Sequence, residues 1–369
     1  DIDPVIVGLG RRLHPEKPYG DPRVEVRIDD ARAYFKRADR QFDHVIFGFL
    51  DSHTLLSSMS SVRIDTFVYT LDSFREAWRL LKPGGQLVLT FAATERWIGE
   101  RLFRLLEAAF GMAPEVQAYD YTNGFVFRVR RGGPVDTARG DALADEAELP
   151  TDDWPYFYMQ THSIPGPYLL FMALAVLLGA APLLLIPRGE RRLSFQFLFL
   201  GAGFMLVEAR SVTEMALLFG STWEVNALTF AGILVMVFLA NLVCMRLPRI
   251  PVTIVYGCVA ACIGLHAAVP AAVLLPFDPA ARLALAVLVL FGPIFFAGLA
   301  FSSAFRTSEK PHMSFGSNLL GAMIGGGLEY ASMAFGFALL DVLAFCLYAL
   351  AFLSFVRGAR TGGLVASAG

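Results

Sequence analysis

Hydrophobic residues follow two different patterns in the two parts of this 369-residue chain. Between residues 24 and 130, short runs rich in β-branched and aromatic residues alternate with stretches whose apolar residues recur every three or four positions. The runs predict strands at Val24–Asp30, His44–Phe49, Gln86–Ala92 and Phe125–Val129. The stretches predict helices at Ala31–Arg37, Asp65–Leu81 and Glu95–Phe110. This alternation predicts an α/β domain with a mainly parallel sheet covered by helices on both faces.

Long apolar runs replace this alternation from about residue 163 onward. A helix needs about 20 apolar residues to cross a hydrocarbon core of about 30 Å. Seven windows reach or approach that length: Pro167–Ile186, Leu193–Phe219, Val225–Leu247, Val252–Leu275, Leu283–Phe305, Phe315–Phe335 and Phe337–Val356. They predict an all-α transmembrane helix bundle of about seven helices.

The two patterns divide the chain into four parts. We expect an α/β domain over residues 1–133, a linker and interfacial segment over 134–165, a transmembrane helical domain over 166–357 and a tail over 358–369. The linker has few large apolar residues. An aromatic cluster follows it, where residues at a membrane interface would lie.

Composition sharpens this division. Hydrophobic residues make up 55% of the chain, which argues against an ordinary soluble protein. Residues 1–162 hold 20 basic and 25 acidic residues, whereas residues 163–369 hold only 11 and 8. Neither part has the dense basic face that nucleic acid requires, so we expect a lipid bilayer and no nucleic acid as partner. The four cysteines lie in apolar runs, and their spacing predicts neither a disulfide framework nor a metal site.

Four motifs stand in a characteristic order in the first part: DIDP, DPRVEVRIDDARAYF, FDHVIFGFLDS and LKPGGQLVLTF. In a doubly wound sheet, ligands bind beyond the carboxyl ends of the strands, and an acid there accepts hydrogen bonds from ribose hydroxyls. The motifs resemble the spermidine synthase branch of the S-adenosylmethionine-dependent methyltransferase fold, over residues 1 to about 92. Because the chain begins inside the first motif, we expect a piece of a longer protein whose glycine-rich cofactor loop lies upstream.

The resemblance implies a cofactor and several site residues. In the complete protein, S-adenosylmethionine or its decarboxylated form would contact Asp1 through the ribose and Asp30 through the adenine amino group. In that family, the fourth strand ends in a run of the type D-S-S-D-P, whose first aspartate takes the proton from an attacking amine. In this chain Gly48 stands at the position of that aspartate, and only the second acid of the run is present, as Asp51. Asp51 is therefore the catalytic candidate, and the missing base argues against polyamine synthesis.

Each of these acids has a simpler interpretation as well. Asp1 and Asp30 also suit solvated strand ends or helix caps, and Asp51 suits an ordinary loop. Asp152 and Asp153 precede the aromatic cluster. They suit either the binding of a cationic substrate group or a helix cap at the membrane surface.

The apolar part adds to the resemblance. The segments FMLVE, LLFG, NLLGA and GGGLEY are similar to membrane segments of bacterial multi-pass proteins that carry a spermidine-synthase-like domain. Glu208, Arg210 and Glu329 are polar residues inside apolar runs, where charges normally pair. Residues two apart on a helix point about 200° apart, so we expect Arg210 to pair with Glu329. Gly321 and Gly325 predict a close helix contact.

Basic residues mark alternate loops near residues 188–192, 246–249, 306–310 and 357–360, which predicts that these loops are cytoplasmic in a bacterial inner membrane. That topology places the α/β domain on the other side, away from a cytosolic cofactor. We attribute the conflict to a miscounted segment, although a re-entrant segment, a failure of the charge rule for one loop, or a domain that does not use that cofactor would also explain it.

The sequence thus predicts a membrane-integral S-adenosylmethionine-dependent transferase, methyltransferase or spermidine-synthase-like. It does not identify the acceptor, for which an amphipathic molecule is one option. One alternative is a transporter or sensor whose soluble domain binds a nucleotide-like ligand without catalysis. The other, a polyamine aminopropyltransferase, is disfavoured by Gly48.

Overall fold

The computed structural model describes residues 1–50, 64–93, 95–119, 124–133, 149–187, 192–247, 250–269 and 271–366. The chain divides into two compact units. The first, here the α/β unit, comprises Asp1–His162 together with Ala216–Val225. The second, here the helical unit, comprises Ser163–Met215 together with Asn226–Gly369.

The α/β unit contains four described helices and four described strands. The helices are α1 (Pro4–Leu13), α2 (Ala31–Arg37), α3 (Leu71–Arg79) and α4 (Arg96–Phe110). The strands are β1 (Phe42–Gly48), β2 (Leu81–Ala92), β3 (Glu115–Tyr119) and β4 (Gly124–Arg130). Short 3-10 helices lie at Pro18–Gly20 and Ile64–Tyr69.

The four strands form one mixed sheet in the order β1-β2-β4-β3. Strands β1 and β2 are parallel, whereas β4 is antiparallel to both β2 and β3. The predicted mainly parallel sheet was therefore wrong for the described strands. Only residues 120–123 separate β3 from β4, and so short a connection can join antiparallel strands but not parallel ones.

The predicted strand Val24–Asp30 is not a strand in the structure. The backbone N–H of Asp1 donates to the carbonyl of Arg27 (3.1 Å), and that of Asp29 donates to the carbonyl of Asp1 (2.9 Å). These bonds pair the segment with a single residue. The alternating side chains make the segment extended, but a strand also needs a neighbour along its length.

The predicted helix Asp65–Leu81 is interrupted at Thr70. This residue has extended backbone angles (φ −101°, ψ 157°), and its side-chain oxygen accepts a hydrogen bond from the N–H of Ser73. Thr70 therefore caps a new helix, α3, because its hydroxyl satisfies one of the free N–H groups of the first turn. The apolar periodicity continues across the break, so it did not reveal the cap.

The core of the α/β unit lies on the buried face of β2. Leu87, Leu89 and Phe91 alternate along the strand and are fully buried. Phe74 of α3 and Leu102 of α4 are buried in the same cluster. This alternation is the pattern expected for a strand that buries one face more deeply than the other.

The helical unit contains eight described helices. They are α5 (Gly166–Ala180), α6 (Phe195–Phe219), α7 (Trp223–Arg246), α8 (Val252–Ala268), α9 (Pro279–Arg306), α10 (Pro311–Leu328), α11 (Ser332–Phe335) and α12 (Ala338–Ala366). The last residues of α6 and the first of α7 belong to the α/β unit.

Five helical segments in the described part of the chain are long and apolar enough to cross a membrane, fewer than the seven windows predicted. These are Gly166–Leu185, Phe195–Phe219, Trp223–Arg246, Ala280–Arg306 and Ala338–Gly358. Helix α8 has only 17 residues. The window Phe315–Phe335 is divided, because α10 ends at Leu328 after three glycines and a 3-10 turn follows. Consecutive glycines weaken a helix.

The close helix contact predicted at Gly321 and Gly325 is confirmed. A methyl group at Gly321 would fall on the backbone of Leu198, and one at Gly325 would fall on the backbone of Ala202. Both neighbours lie on α6. The two glycines therefore let α10 approach the backbone of α6, as small residues do in tightly packed helix pairs.

Candidate functional site

A cavity of about 670 Å³ opens at the carboxyl end of β1, within the α/β unit. We call it the strand-end cavity. Gly48, Phe49 and Leu50, at the end of β1, form part of its lining. The other lining residues are Asp1, Ile2, Glu25, Arg27, Asp29, Asp30, Ala31, Tyr34, Phe35, Arg40, Phe42, Val68 and Ser221. The position agrees with the rule that ligands bind beyond the carboxyl ends of parallel strands.

Asp1 is held at the cavity by its backbone. Its N–H and carbonyl groups bond to the segment that ends at Asp29, and its Oδ1 accepts a hydrogen bond from the N–H of Asp3 (2.9 Å). Asp3 in turn caps α1 by accepting from the N–H groups of Val5 and Ile6. The start of α1 therefore positions the carboxylate of Asp1 beside the cavity.

Asp30 combines the two roles that the sequence left open, because it caps α2 and also lines the cavity. Its Oδ1 accepts from the N–H of Ala33 (2.9 Å), and its Oδ2 accepts from the Ser221 hydroxyl (2.6 Å). The residue is only 7% exposed. Oδ2 also accepts from the backbone N–H of Ser221 (3.4 Å). Each carboxylate oxygen has two lone pairs, so Oδ1 can still accept a second hydrogen bond.

Ser221 reaches Asp30 because a glycine precedes it. Gly220 has φ +96°, and a methyl group there would lie 2.6 Å from the Cβ of Asp30. Only glycine combines this backbone angle with this close approach. Sequence reasoning did not associate Ser221 with the site, since 191 residues separate it from Asp30.

Gly48 and Phe49 shape the mouth of the cavity at the end of β1. Within the part of the chain that the structure describes, no atom lies within 4 Å of the position where a Cβ of Gly48 would stand. Phe49 has φ +49° and a side chain that is 54% exposed. A phenylalanine in this left-handed region is unusual and marks a strained position, as is common at binding sites. The hydrophobic pattern gave no signal for this conformation.

Charged groups surround the rest of the cavity. Glu25 forms ion pairs with Arg27 (2.5 Å) and Arg40 (3.1 Å), and Asp29 pairs with Arg37. The hydrogen bond from Arg27, together with its charge, lowers the pKa of Glu25. Four acids but only two bases line the cavity, so its polar groups favour a positively charged ligand.

Asp152 lies in an ion-pair network of the α/β unit and is not among the residues that line the strand-end cavity. Its Oδ2 accepts from Nη2 of Arg32 (2.7 Å), and its Oδ1 accepts from the hydroxyl of Thr70 (2.9 Å). Arg32 also pairs with Glu76, and Lys36 lies 3.5 Å from Asp152. The neighbouring Asp153 is exposed. Substrate binding by Asp152 and Asp153 stays a prediction, as does catalysis by Asp51, which lies outside the described residues.

Arg210 has partners other than the predicted Glu329, so that prediction was wrong. Nη2 of Arg210 lies 2.7 Å from Oε1 of Glu214, one helical turn away, and its Nε donates to Oδ2 of Asp341 (3.2 Å). Asp341 also lies 3.1 Å from Nδ1 of His266. Spacing along α6 could have indicated Glu214, but nothing local joins Arg210 to α8 and α12.

Part of this chain is similar to polyamine aminopropyltransferases. The protein of that name from Pyrobaculum arsenaticum is 29% identical over 159 residues, which are 42% of this chain and 50% of the relative. The Pyrobaculum aerophilum protein is 31% identical over 125 residues, which are 32% of this chain and 40% of the relative. The Nitrosomonas europaea protein is 30% identical over 92 residues, which are 24% of this chain and 26% of the relative.

These similarities support a spermidine-synthase-like domain in this chain. The chain spans half or less of the length of the curated relatives it matches. No family model matches the chain. No solved structure matches it either.

Proposed function

We propose that this protein is a membrane-integral transferase that uses S-adenosylmethionine or its decarboxylated form, bound in the strand-end cavity. The observation that carries the proposal is that Asp1, Asp30 and Gly48, three positions taken from separate motifs, line one cavity at the end of a parallel strand. The names of the relatives support a transfer of this class. The five long apolar helical segments support the membrane location.

The residues of the cavity fit such a cofactor. Aromatic side chains of Tyr34, Phe35 and Phe49 offer surfaces for a flat base, and the carboxylates of Asp1 and Asp30 offer acceptors for hydroxyl and amino groups. The excess of acids over bases suits a sulfonium cation. When bound, the cofactor supplies a carbon that is open to attack by a nucleophile.

The cavity places no carboxylate at Gly48, where the resemblance implies a proton acceptor. We therefore propose an acceptor that is already nucleophilic at neutral pH, so that orientation in the cavity does most of the catalytic work. The exposed apolar side chains of Ile2, Phe49 and Leu50 at the cavity favour an acceptor with an apolar part. Asp51 remains the candidate base for any acceptor that must lose a proton.

Calorimetry on the full-length natural protein in detergent tests the proposal. We expect binding of S-adenosylmethionine or decarboxylated S-adenosylmethionine, and an affinity loss of about tenfold or more in Asp1→Asn and Asp30→Asn, since hydrogen bonds to a charged group contribute about 1.5–3 kcal/mol. Asparagine still caps a helix, so Asp30→Asn should keep α2 intact. Asp43→Asn is the control, because this acid at the start of β1 does not line the cavity.

The proposal fails if the natural protein binds neither cofactor. It also fails if Asp1→Asn and Asp30→Asn bind as tightly as Asp43→Asn does.

A further inference from the structure

Four ionisable side chains from three helices meet inside the helical unit. Arg210 and Glu214 lie on α6, His266 on α8 and Asp341 on α12. Arg210 contacts both carboxylates, Glu214 at 2.7 Å and Asp341 at 3.2 Å. Nδ1 of His266 lies 3.1 Å from Oδ1 of Asp341. We call this group the four-residue cluster.

The four-residue cluster is removed from solvent within the helical unit. Glu214, His266 and Asp341 are 7%, 4% and 4% exposed. The helices that carry these residues consist mainly of apolar residues. A net charge in such surroundings is strongly disfavoured. We therefore expect the cluster to hold the number of protons that makes its net charge zero.

Charge balance in the cluster requires one additional positive charge. Arg210 is permanently protonated. With both carboxylates ionised and His266 neutral, the cluster would carry a charge of −1. One proton on His266 makes the total zero, and the Nδ1–H group can then donate to Asp341.

Neighbouring charged groups do not supply that positive charge. Arg282 on α9 is also buried, but the described contacts include no ion pair between it and a carboxylate of the cluster, and its Nη2 donates to the backbone carbonyls of Leu275 and Phe277. Glu208 lies two residues before Arg210 on α6 and so points about 200° away from it. Because no described ion pair brings an outside positive charge to the cluster, we infer that the compensating charge resides within it.

Two atoms of the cluster have unused hydrogen-bonding capacity. Nε2 of His266 and Oε2 of Glu214 are buried, and neither has a hydrogen-bond partner among the described residues. Buried polar atoms are nearly always bonded, and an unsatisfied one calls for an explanation. These two atoms give the cluster places at which a proton can be gained or lost.

We propose that the four-residue cluster is a binding site for one exchangeable proton, carried by His266 and balanced by Glu214 and Asp341. This site is separate from the strand-end cavity and does not depend on the proposed transfer reaction. Because the cluster joins α6, α8 and α12, the bound proton also stabilises their contact. Loss of the proton leaves an uncompensated negative charge between the three helices.

Nuclear magnetic resonance of the histidine rings tests the proposal on the full chain in detergent. The chain has six histidines, so ¹⁵N-histidine labelling gives few signals, and His266→Gln identifies the His266 ring. We expect both ring nitrogens of His266 to be protonated at pH 7. In Glu214→Gln and in Asp341→Asn, the cluster is neutral without that proton, so the ring should lose one proton.

Asp278→Asn is the matched control, because this acid caps α9 and takes no part in the cluster. It should leave the His266 signals unchanged. The proposal is overturned if the wild-type ring is neutral at pH 7, which would indicate a simple structural hydrogen bond. It is also overturned if the ring stays charged in Glu214→Gln and Asp341→Asn. A further contrary result would be loss of the His266 proton when sodium replaces potassium in the buffer, because the cluster would then bind a metal cation in place of a proton. If Asp341→Asn does not fold, the wild type and Glu214→Gln decide.

Discussion

The Nη2 atom of Arg32 donates a hydrogen bond to Oδ2 of Asp152 over 2.7 Å, across 120 residues of sequence. The side chain of Arg32 is only 3% exposed, so its charge depends on this partner and on Glu76. Burial alone would lower the pKa of Arg32, but the carboxylates of Asp152 and Glu76 raise it above its usual value. Asp152 therefore holds α2 and the start of α3 together, since it also accepts a hydrogen bond from Thr70.

Replacement of this partner should destabilise the α/β unit. We expect Asp152→Asn to cost about 3 kcal/mol, because a buried guanidinium loses a charged partner. Thermal unfolding in detergent measures the effect, with the exposed neighbour Asp153→Asn as control. A fall in ligand affinity without a fall in the unfolding midpoint would instead support the substrate-binding role predicted for Asp152.

Glu76 gives the α/β unit a pH dependence of known sign. Burial raises the pKa of Glu76, although Arg32 and Lys36 act in the opposite direction. A carboxyl group whose pKa is raised in the folded state stabilises the fold below its unfolded pKa, and this contribution is lost as the pH rises through the folded value. Relative to Glu76→Gln, the wild type should therefore lose stability as the pH rises above 4.5.

Asp43 is the control of opposite sign. The hydrogen bond from Lys82 lowers the pKa of Asp43, so its contribution is present at neutral pH and is lost as the pH falls through the folded value. Because both side chains are exposed, the difference between wild type and Asp43→Asn should shrink in high salt. Unfolding midpoints measured over a pH series give the difference between wild type and each of Glu76→Gln and Asp43→Asn. If this difference changes with pH in the same direction for both variants, these assignments are wrong.

Gly48 should decide whether a polyamine can serve as acceptor. We expect no aminopropyl transfer to putrescine or spermidine by the natural protein, because no carboxylate stands at this position. No described atom lies within 4 Å of a Cβ placed at Gly48, so we expect Gly48→Asp to fold, and a positioned base contributes about 100-fold or more. Mass spectrometry of the products measures the gain. Gly48→Asn is the control of equal size, and rapid transfer by the natural protein would show that another residue such as Asp51 is the base.

Gly321 should tolerate substitution less well than its neighbour Gly326. Alanine at position 321 meets the backbone of Leu198, which cannot rotate away, so we expect a loss of about 2 kcal/mol. Nothing lies within 4 Å of the corresponding position at Gly326. Alanine there should be neutral or stabilise α10 by up to about 1 kcal/mol. Equal unfolding midpoints for the two variants would refute the close contact of α10 with α6.

Local patterns determined the elements whose signals lie within a few neighbouring residues. Helix α2 has the predicted bounds, and Asp30 caps its first turn. Strands β1, β2 and β4 overlap the predicted runs. However, β2 begins at Leu81, which was expected to end a helix, and β3 was not predicted. The resemblance to the spermidine synthase branch singled out Asp1, Asp30 and Gly48, which line one cavity in the structure, although only Gly48 ends a described strand and the roles of these residues stay predictions.

Tertiary structure alone decided which distant segments meet. Ser221 beside Asp30, Asp152 beside Arg32, and His266 beside Asp341 each join residues that lie far apart in the chain. The sequence showed that Arg210 needs an acid but not which one, because several acids lie in apolar runs. Hydrophobic periodicity reports which face of an element is buried, whereas the choice of partner depends on how all the elements pack.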